Sequence, residues 1–315
     1  MNENTTTKLA ALQVAYMDQD IQKENRDVLH QSWFQTDTAD YWRHERMYDT
    51  IRPFANGQKD SSWLTIGDGR YGLDAVRLTK MFGLQDVLPT DIASTMMIEA
   101  QRRGVIVRFQ IENAEQLSFE NNSKDVVFCK EAFHHFPRPY LALYEMLRVS
   151  REAVIMIEPA ERLIVDGVKT GSYLKSAFKL FFSKLLRRSH QPYTPPLQPL
   201  EHKHEEAGNY LYAVSVRELE KLVHGMDLAD MAYLRFNDAY IKGVEFEKAS
   251  PDNKIFLELK SIIEQADQQS SLYPQVHMPN MVSVIIFKKQ VPVALRKEMI
   301  ESGFQFINKV KNPYL

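Results

Sequence analysis

The sequence predicts an α/β fold on a mostly parallel sheet, and three observations carry that reading. From Ser62 onward, short apolar runs alternate with helical stretches. The first run ends in a glycine turn that opens a helix. Of 315 residues, 44% are hydrophobic and 25% charged, a balance that supplies a sizeable core and a solvated surface.

Residues 8 to about 55 read as helical and stop at Pro53 and Gly57. They form an N-terminal helical cap (1–57) carrying an aromatic-basic cluster, Tyr41, Trp42, Arg43 and His44. WLTI (63–66), DVLPT (86–90), VIVRF (105–109), DVVFC (125–129) and AVIMI (153–157) are predicted strands of a core domain, 58–159. Helices are expected between them over 71–82, 93–103 and 138–147. After Pro159 the rhythm breaks, and 160–210 reads as a lid insertion with one amphipathic helix and a proline cluster (Pro192, Pro195, Pro196, Pro199). The core resumes over 211–290 with a helix at 214–225 and strands at 232–236 and 281–289. A partly helical insertion, about 238–278, separates these strands, and 291–315 is a C-terminal tail.

Composition narrows the function. A formal net charge of −2 gives no global attraction to nucleic acid. The single cysteine, Cys129, excludes an internal disulfide and suits a reducing compartment. A polar N-terminus without a secretion pattern, and no apolar run of bilayer length, point to a cytoplasmic protein. His202 and His204 stand in a charged run that reads as solvated surface, so no metal site is assigned.

The glycine turn is Gly67-Asp68-Gly69-Arg70-Tyr71-Gly72, and an acid, Asp91, follows the next strand. Glycines let backbone approach a ligand closely, and a helix N-terminus favours polar or anionic groups. An acid about 20 residues on is placed to hold ribose hydroxyls. By itself this pattern serves a dinucleotide or another adenosine-bearing cofactor equally well.

Further segments follow in order: IENAEQLSF (111–119), DVVFC (125–129), FHHF (133–136), MLRVS (146–150) and Glu158-Pro159. Together these resemble the class I S-adenosylmethionine-dependent methyltransferases over roughly 60–160, with weaker agreement to 290. The resemblance implies a Rossmann-like seven-stranded sheet whose last strand, 281–289, is antiparallel. It also implies S-adenosyl-L-methionine as cofactor, held by Gly67, Asp68, Gly69, Arg70, Gly72, Asp91, Ile92, Asn113, Ala114, Glu115 and Lys130. Three positions depart from the family pattern: Thr65 where many relatives carry an acid, Asp68 for a small residue, and Asn113 for aspartate.

For the chemistry, His134, His135 and Glu158 are the candidate catalytic residues, because a histidine oriented by a carboxylate is a suitable base near neutral pH. His134 is the first choice of the two, and simple packing of the loop is the competing role for the pair. The expected reaction is O-methylation of a small molecule or glycan. C-methylation of a lipid-like ring and a non-catalytic binding protein on the same fold are the alternatives. An NAD oxidoreductase ranks lower because no second nucleotide-binding half is visible. Residues 167–200 hold no acid and carry a basic amphipathic helix, 172–188. Packing as a lid, capture of an anionic acceptor, and docking on anionic membrane are its three readings, the first preferred.

Overall fold

In the computed structural model, residues 3–20, 26–161, 204–274, 277–310 and 312–314 are described. Most of the 160–210 insertion, including the basic helix at 172–188, lies outside them. Four N-terminal helices, α1 (Glu3–Asp20), α2 (Arg26–Ser32), α3 (Ala39–Asp49) and α4 (Arg52–Ala55), precede the sheet. The core then alternates β1 (Ser62–Ile66), α5 (Leu73–Phe82), β2 (Asp86–Asp91), α6 (Thr95–Arg102), β3 (Gln110–Ile111), β4 (Lys124–Lys130), α7 (Pro139–Val149) and β5 (Ser150–Pro159). After the insertion come α8 (Val216–Gly225), β6 (Asp230–Phe236), α9 (Lys254–Leu272), β7 (Met281–Phe287), α10 (Val293–Glu301) and β8 (Gln305–Phe306).

The strands form one sheet in the order β3-β2-β1-β4-β5-β7-β6-β8. β3, β2, β1, β4 and β5 run parallel, and β7 lies antiparallel to both β5 and β6. Alternation along β4 and β5 sends Val127, Cys129, Val154 and Met156 to one face, where α7 and α8 cover them. Val126, Phe128, Ile155 and Ile157 go to the other face, against Tyr48, Phe54 and Leu78 of the helices there. Strands buried on both faces read as continuous apolar runs, which is why these two stand out in the sequence.

Two expectations need correction. Among the described residues the sheet has eight strands, because the segment after residue 291 is not a plain tail: α10 leads into β8, which pairs with Ala232 and Tyr233 of β6. The run at 105–109 is not a strand, since only Gln110 and Ile111 join the ladder beside β2. Its apolar residues serve a side cluster instead. Ile106 packs with Tyr71, Met96 and Met97, while Val107 is 91% exposed.

β1 turns into α5 through Gly67–Gly72, and Asp68 holds that turn. Its carboxylate accepts from the backbone N–H groups of Asp74 (2.9 Å) and Ala75 (3.0 Å) and from the Thr65 hydroxyl (2.8 Å). The residue at the N-cap position, Gly72, has no side chain to do this. Removing the acceptor in Asp68→Ala should therefore lower unfolding free energy by about 1–2 kcal/mol. Urea denaturation of the empty protein measures it.

Candidate active site

The carboxyl ends of β1, β2 and β4 meet where the sheet order reverses, the place at which open α/β sheets bind ligands. A cavity of about 360 Å³ opens there. Its wall includes Gly67, Asp68, Gly69 and Arg70 of the turn, Asp91 and Ile92 after β2, and Lys130 at the end of β4.

Close packing explains the glycines. Gly67 sits at φ +74°, and a Cβ there would stand 2.4 Å from the Ala132 Cβ. A Cβ on Gly69 would lie 2.7 Å from Asp91 Oδ2, so the backbone passes directly over the carboxylate. Gly72, at φ +65°, is pressed against Ile106 and does not line the cavity.

Asp91 is buried, and its Oδ1 accepts from the Ala93 N–H at 2.7 Å. Burial raises its carboxyl to about 6, although backbone N–H groups of Ala93, Gly69 and Ile92 oppose the rise. An acid so placed lacks partners for its full acceptor capacity, which suits a ligand bringing hydroxyl donors.

The FHHF segment forms a short 3-10 turn over Phe133–His135 above β4 and β5. Glu158, fully buried in β5, accepts from the N–H groups of Ala132 and Phe133, both at 3.0 Å. Its other oxygen accepts from His134 Nδ1 at 2.6 Å. Burial works against a charge on His134, but the hydrogen bond and charge of Glu158 prevail and raise its pKa. His135 lies against His134, with ring centres 3.9 Å apart and planes tilted by 39°, and its Nδ1 donates to Glu205 at 2.6 Å. Burial and then the neighbouring His134 lower its pKa.

Residues 64–157 match the family model described as a methyltransferase domain. The match covers this segment of the core sheet, from β1 to β5, and is to a methyltransferase domain. No curated protein sequence matches the chain. Among solved structures, the chain is similar to phosphoethanolamine N-methyltransferase 2 of Haemonchus contortus in complex with S-adenosylmethionine. Identity is 16% and the TM-score 0.46, over 78% of this chain and 52% of that one. It is also similar to magnesium protoporphyrin IX methyltransferase of Synechocystis with bound S-adenosylhomocysteine. There the identity is 16% and the TM-score 0.39, over 60% of this chain and 74% of that one.

Within this cavity the sequence-derived residues divide. Gly67, Gly69, Arg70, Asp91, Ile92, Lys130 and His135 line it. Asp68 lines it too, but its carboxylate is turned into the start of α5. Asn113, Ala114 and Glu115 are not among the lining residues. Asn113 accepts from the Glu115 N–H and closes a local turn. The Glu115 carboxylate is taken by Arg138, which approaches through its backbone N–H (2.6 Å) and guanidinium (2.6 and 2.8 Å). A carboxylate so occupied fastens residue 115 to the start of α7. His134 and Glu158 come together as expected, yet the wall facing the cavity is His135.

The sequence reading missed the opposite wall, built from α3 and α5. Asp40 and His44 line it with Asp74, Arg77 and Glu131. Lys130 Nζ donates to His44 Nδ1 (2.8 Å) and to Glu131 (2.7 Å). Arg43 bridges Asp40 and Asp238, each at 2.7 Å. Burial and then the Lys130 charge push His44 well below its ordinary pKa, so it is neutral at pH 7. Despite burial, Lys130 and Arg43 hold Glu131 down at about 2. Glu131 also has φ +49°, a left-handed conformation that non-glycine residues seldom adopt. The available signal was the Tyr41–His44 cluster, whose Arg43 and His44 turn out to be buried.

Asp91 has a consequence for stability. Its folded-state pKa, about 6, exceeds the ordinary 3.8, so ionisation opposes folding of the empty protein. That penalty is absent below pH 3.8, grows between 3.8 and about 6, and is complete above 6. Asp91→Asn should accordingly stabilise the empty protein at pH 7.5 by roughly 1–3 kcal/mol. Thermal unfolding followed at pH 7.5 and pH 4 should show the gain shrinking at the lower pH.

Proposed function

We propose that this chain is an S-adenosylmethionine-dependent O-methyltransferase acting on a hydroxyl of a small molecule or glycan, with a histidine as general base. The observation that carries the reading is a carboxylate-oriented imidazole on the wall of the same cavity that exposes the glycine turn and Asp91. The donor's adenosine would lie along Gly67, Gly69, Asp91 and Ile92, with Asp91 accepting from the ribose hydroxyls. Its cationic sulfonium enters a wall rich in carboxylates, Asp40, Asp74, Glu131 and Glu205 among them.

Methyl transfer is an in-line displacement with a good leaving group already on the donor. Alignment of acceptor oxygen and methyl is therefore the main task, and it alone supplies several orders of magnitude. A hydroxyl acceptor must also surrender a proton, and a base in reach contributes about 10²–10⁴-fold. A carbon nucleophile on a lipid-like ring would make less use of that base. Among the described residues no helix is long and apolar enough to cross a membrane. The role of the basic 172–188 segment toward an anionic acceptor or a lipid surface remains an expectation from the sequence.

Calorimetry should detect binding of S-adenosylhomocysteine and none of NAD. Gly69→Ala should abolish the first, because the added methyl would collide with Asp91. Methyl-labelled S-adenosylmethionine, offered with separate pools of phenols, saccharides and amines, should label the hydroxyl-bearing pools. Label confined to amines or to ring carbons would overturn the O-methyl assignment while leaving the donor site intact.

A further inference from the structure

The two adjacent histidines carry separate carboxylates and meet different surroundings. His134 Nδ1 is bound to Glu158, which is fully buried and fixed by two backbone N–H groups. The His134 side chain is only 14% exposed and is not part of the cavity wall. His135 is part of that wall, its side chain is 41% exposed, and Glu205 beside it lines the wall as well.

Glu205 is itself anchored. Its Oε2 accepts from Asn209 Nδ2 at 2.8 Å, and its backbone N–H donates to the Asn209 carbonyl at 2.9 Å. Asn209 is buried and also lines the cavity. On the other side, Gln13 Nε2 donates to the His135 carbonyl (2.8 Å), and the Tyr212 N–H to the His134 carbonyl (3.0 Å). The turn is thus held from α1 and from the segment before α8. With Nδ1 donating to Glu205, neutral His135 must carry its proton there and leave Nε2 as an acceptor. Among the described residues nothing hydrogen-bonds to that Nε2.

We infer that His135 is the general base, that Glu205, fixed by Asn209, is its positioning residue, and that the His134–Glu158 pair supports the turn rather than acting as the base. This assignment rests on the methyltransferase reading above. In the reaction His135 Nε2 takes the acceptor hydroxyl proton as the oxygen attacks the donor methyl. The O–C bond forms, the S–C bond breaks with its electron pair staying on sulfur, and the sulfonium becomes a thioether. The resulting imidazolium is neutralised by Glu205. The charged groups facing His135 are His134 on its own turn, Glu158 from β5 and Glu205 from the returning segment. Burial first, and then the charge of the adjacent His134, disfavour a positive charge on His135, which favours the neutral form that accepts a proton.

The test needs no acceptor. The full chain with ring-labelled histidines, saturated with S-adenosylhomocysteine, is followed by long-range ¹H–¹⁵N correlation from pH 5 to 9. His135 should be neutral at pH 7.5 with the proton on Nδ1, and should titrate below His134. Glu205→Gln should lower the His135 pKa further, because it removes a carboxylate, whereas His134→Gln should raise it by removing the neighbouring cation. The opposite signs give two independent arms, so poor folding of one variant leaves the other decisive. A neutral His135 protonated on Nε2, or a His134 that loses its proton first, would overturn the assignment. Failure of S-adenosylhomocysteine to bind would instead overturn the donor reading on which it rests.

Discussion

The close approach of the Gly69 backbone to the Asp91 carboxylate governs the geometry of this site. No β-carbon fits between them, since one would sit 2.7 Å from a carboxylate oxygen. The contact ties the first strand-to-helix turn to the end of the neighbouring strand and fixes the floor of the cavity. It also buries an acid that keeps acceptor capacity for a ligand bringing hydroxyl donors. Asp68 secures the same turn from below, by satisfying two of the N–H groups that α5 leaves open. Thr65 donates to that carboxylate, so two positions that depart separately from the family pattern act together here.

Around this floor the walls are charged, but not loosely so. Glu131, Lys130, Arg43, Asp40 and Asp238 form a connected network behind α3, and His44 stays neutral within it. Breaking one member of such a network leaves an uncompensated charge, so the cluster is a rigid wall more than a set of free ligands. The histidine turn differs in kind. One imidazole is locked to a fully buried carboxylate, and the other is locked at one nitrogen and, among the described residues, open at the second. The same residue type in consecutive positions is thereby given two environments, which is how proteins separate acid-base roles.

Much of the fold was legible because strands buried on both faces announce themselves as apolar runs, as in DVVFC and AVIMI. The glycine turn was legible because Gly67 and Gly69 answer to close contacts that no other residue tolerates. The 105–109 run misled because its apolar residues pack sideways on Tyr71 and Met97, a contact that periodicity does not encode. β8 was invisible because a two-residue pairing has no pattern to detect. At the site, motif position does not tell which way the Glu115 and Asp68 carboxylates turn. Their actual partners, Arg138 and the start of α5, depend on side-chain direction. Glu205 and Asp40 were missed because they are far from the glycine turn in sequence and reach the cavity only through the tertiary fold.

On the proposed function, the cavity binds an adenosine-bearing donor through an ionised Asp91. The most direct test is the affinity for S-adenosylhomocysteine measured by calorimetry across pH 5 to 8. The folded-state carboxyl titrates near 6, so affinity should climb as pH rises through that value and then level off. In Asp91→Asn the profile should be weak and without that inflection. An affinity in the unmodified protein that does not change across the range, or that survives Asp91→Asn undiminished, would contradict the account.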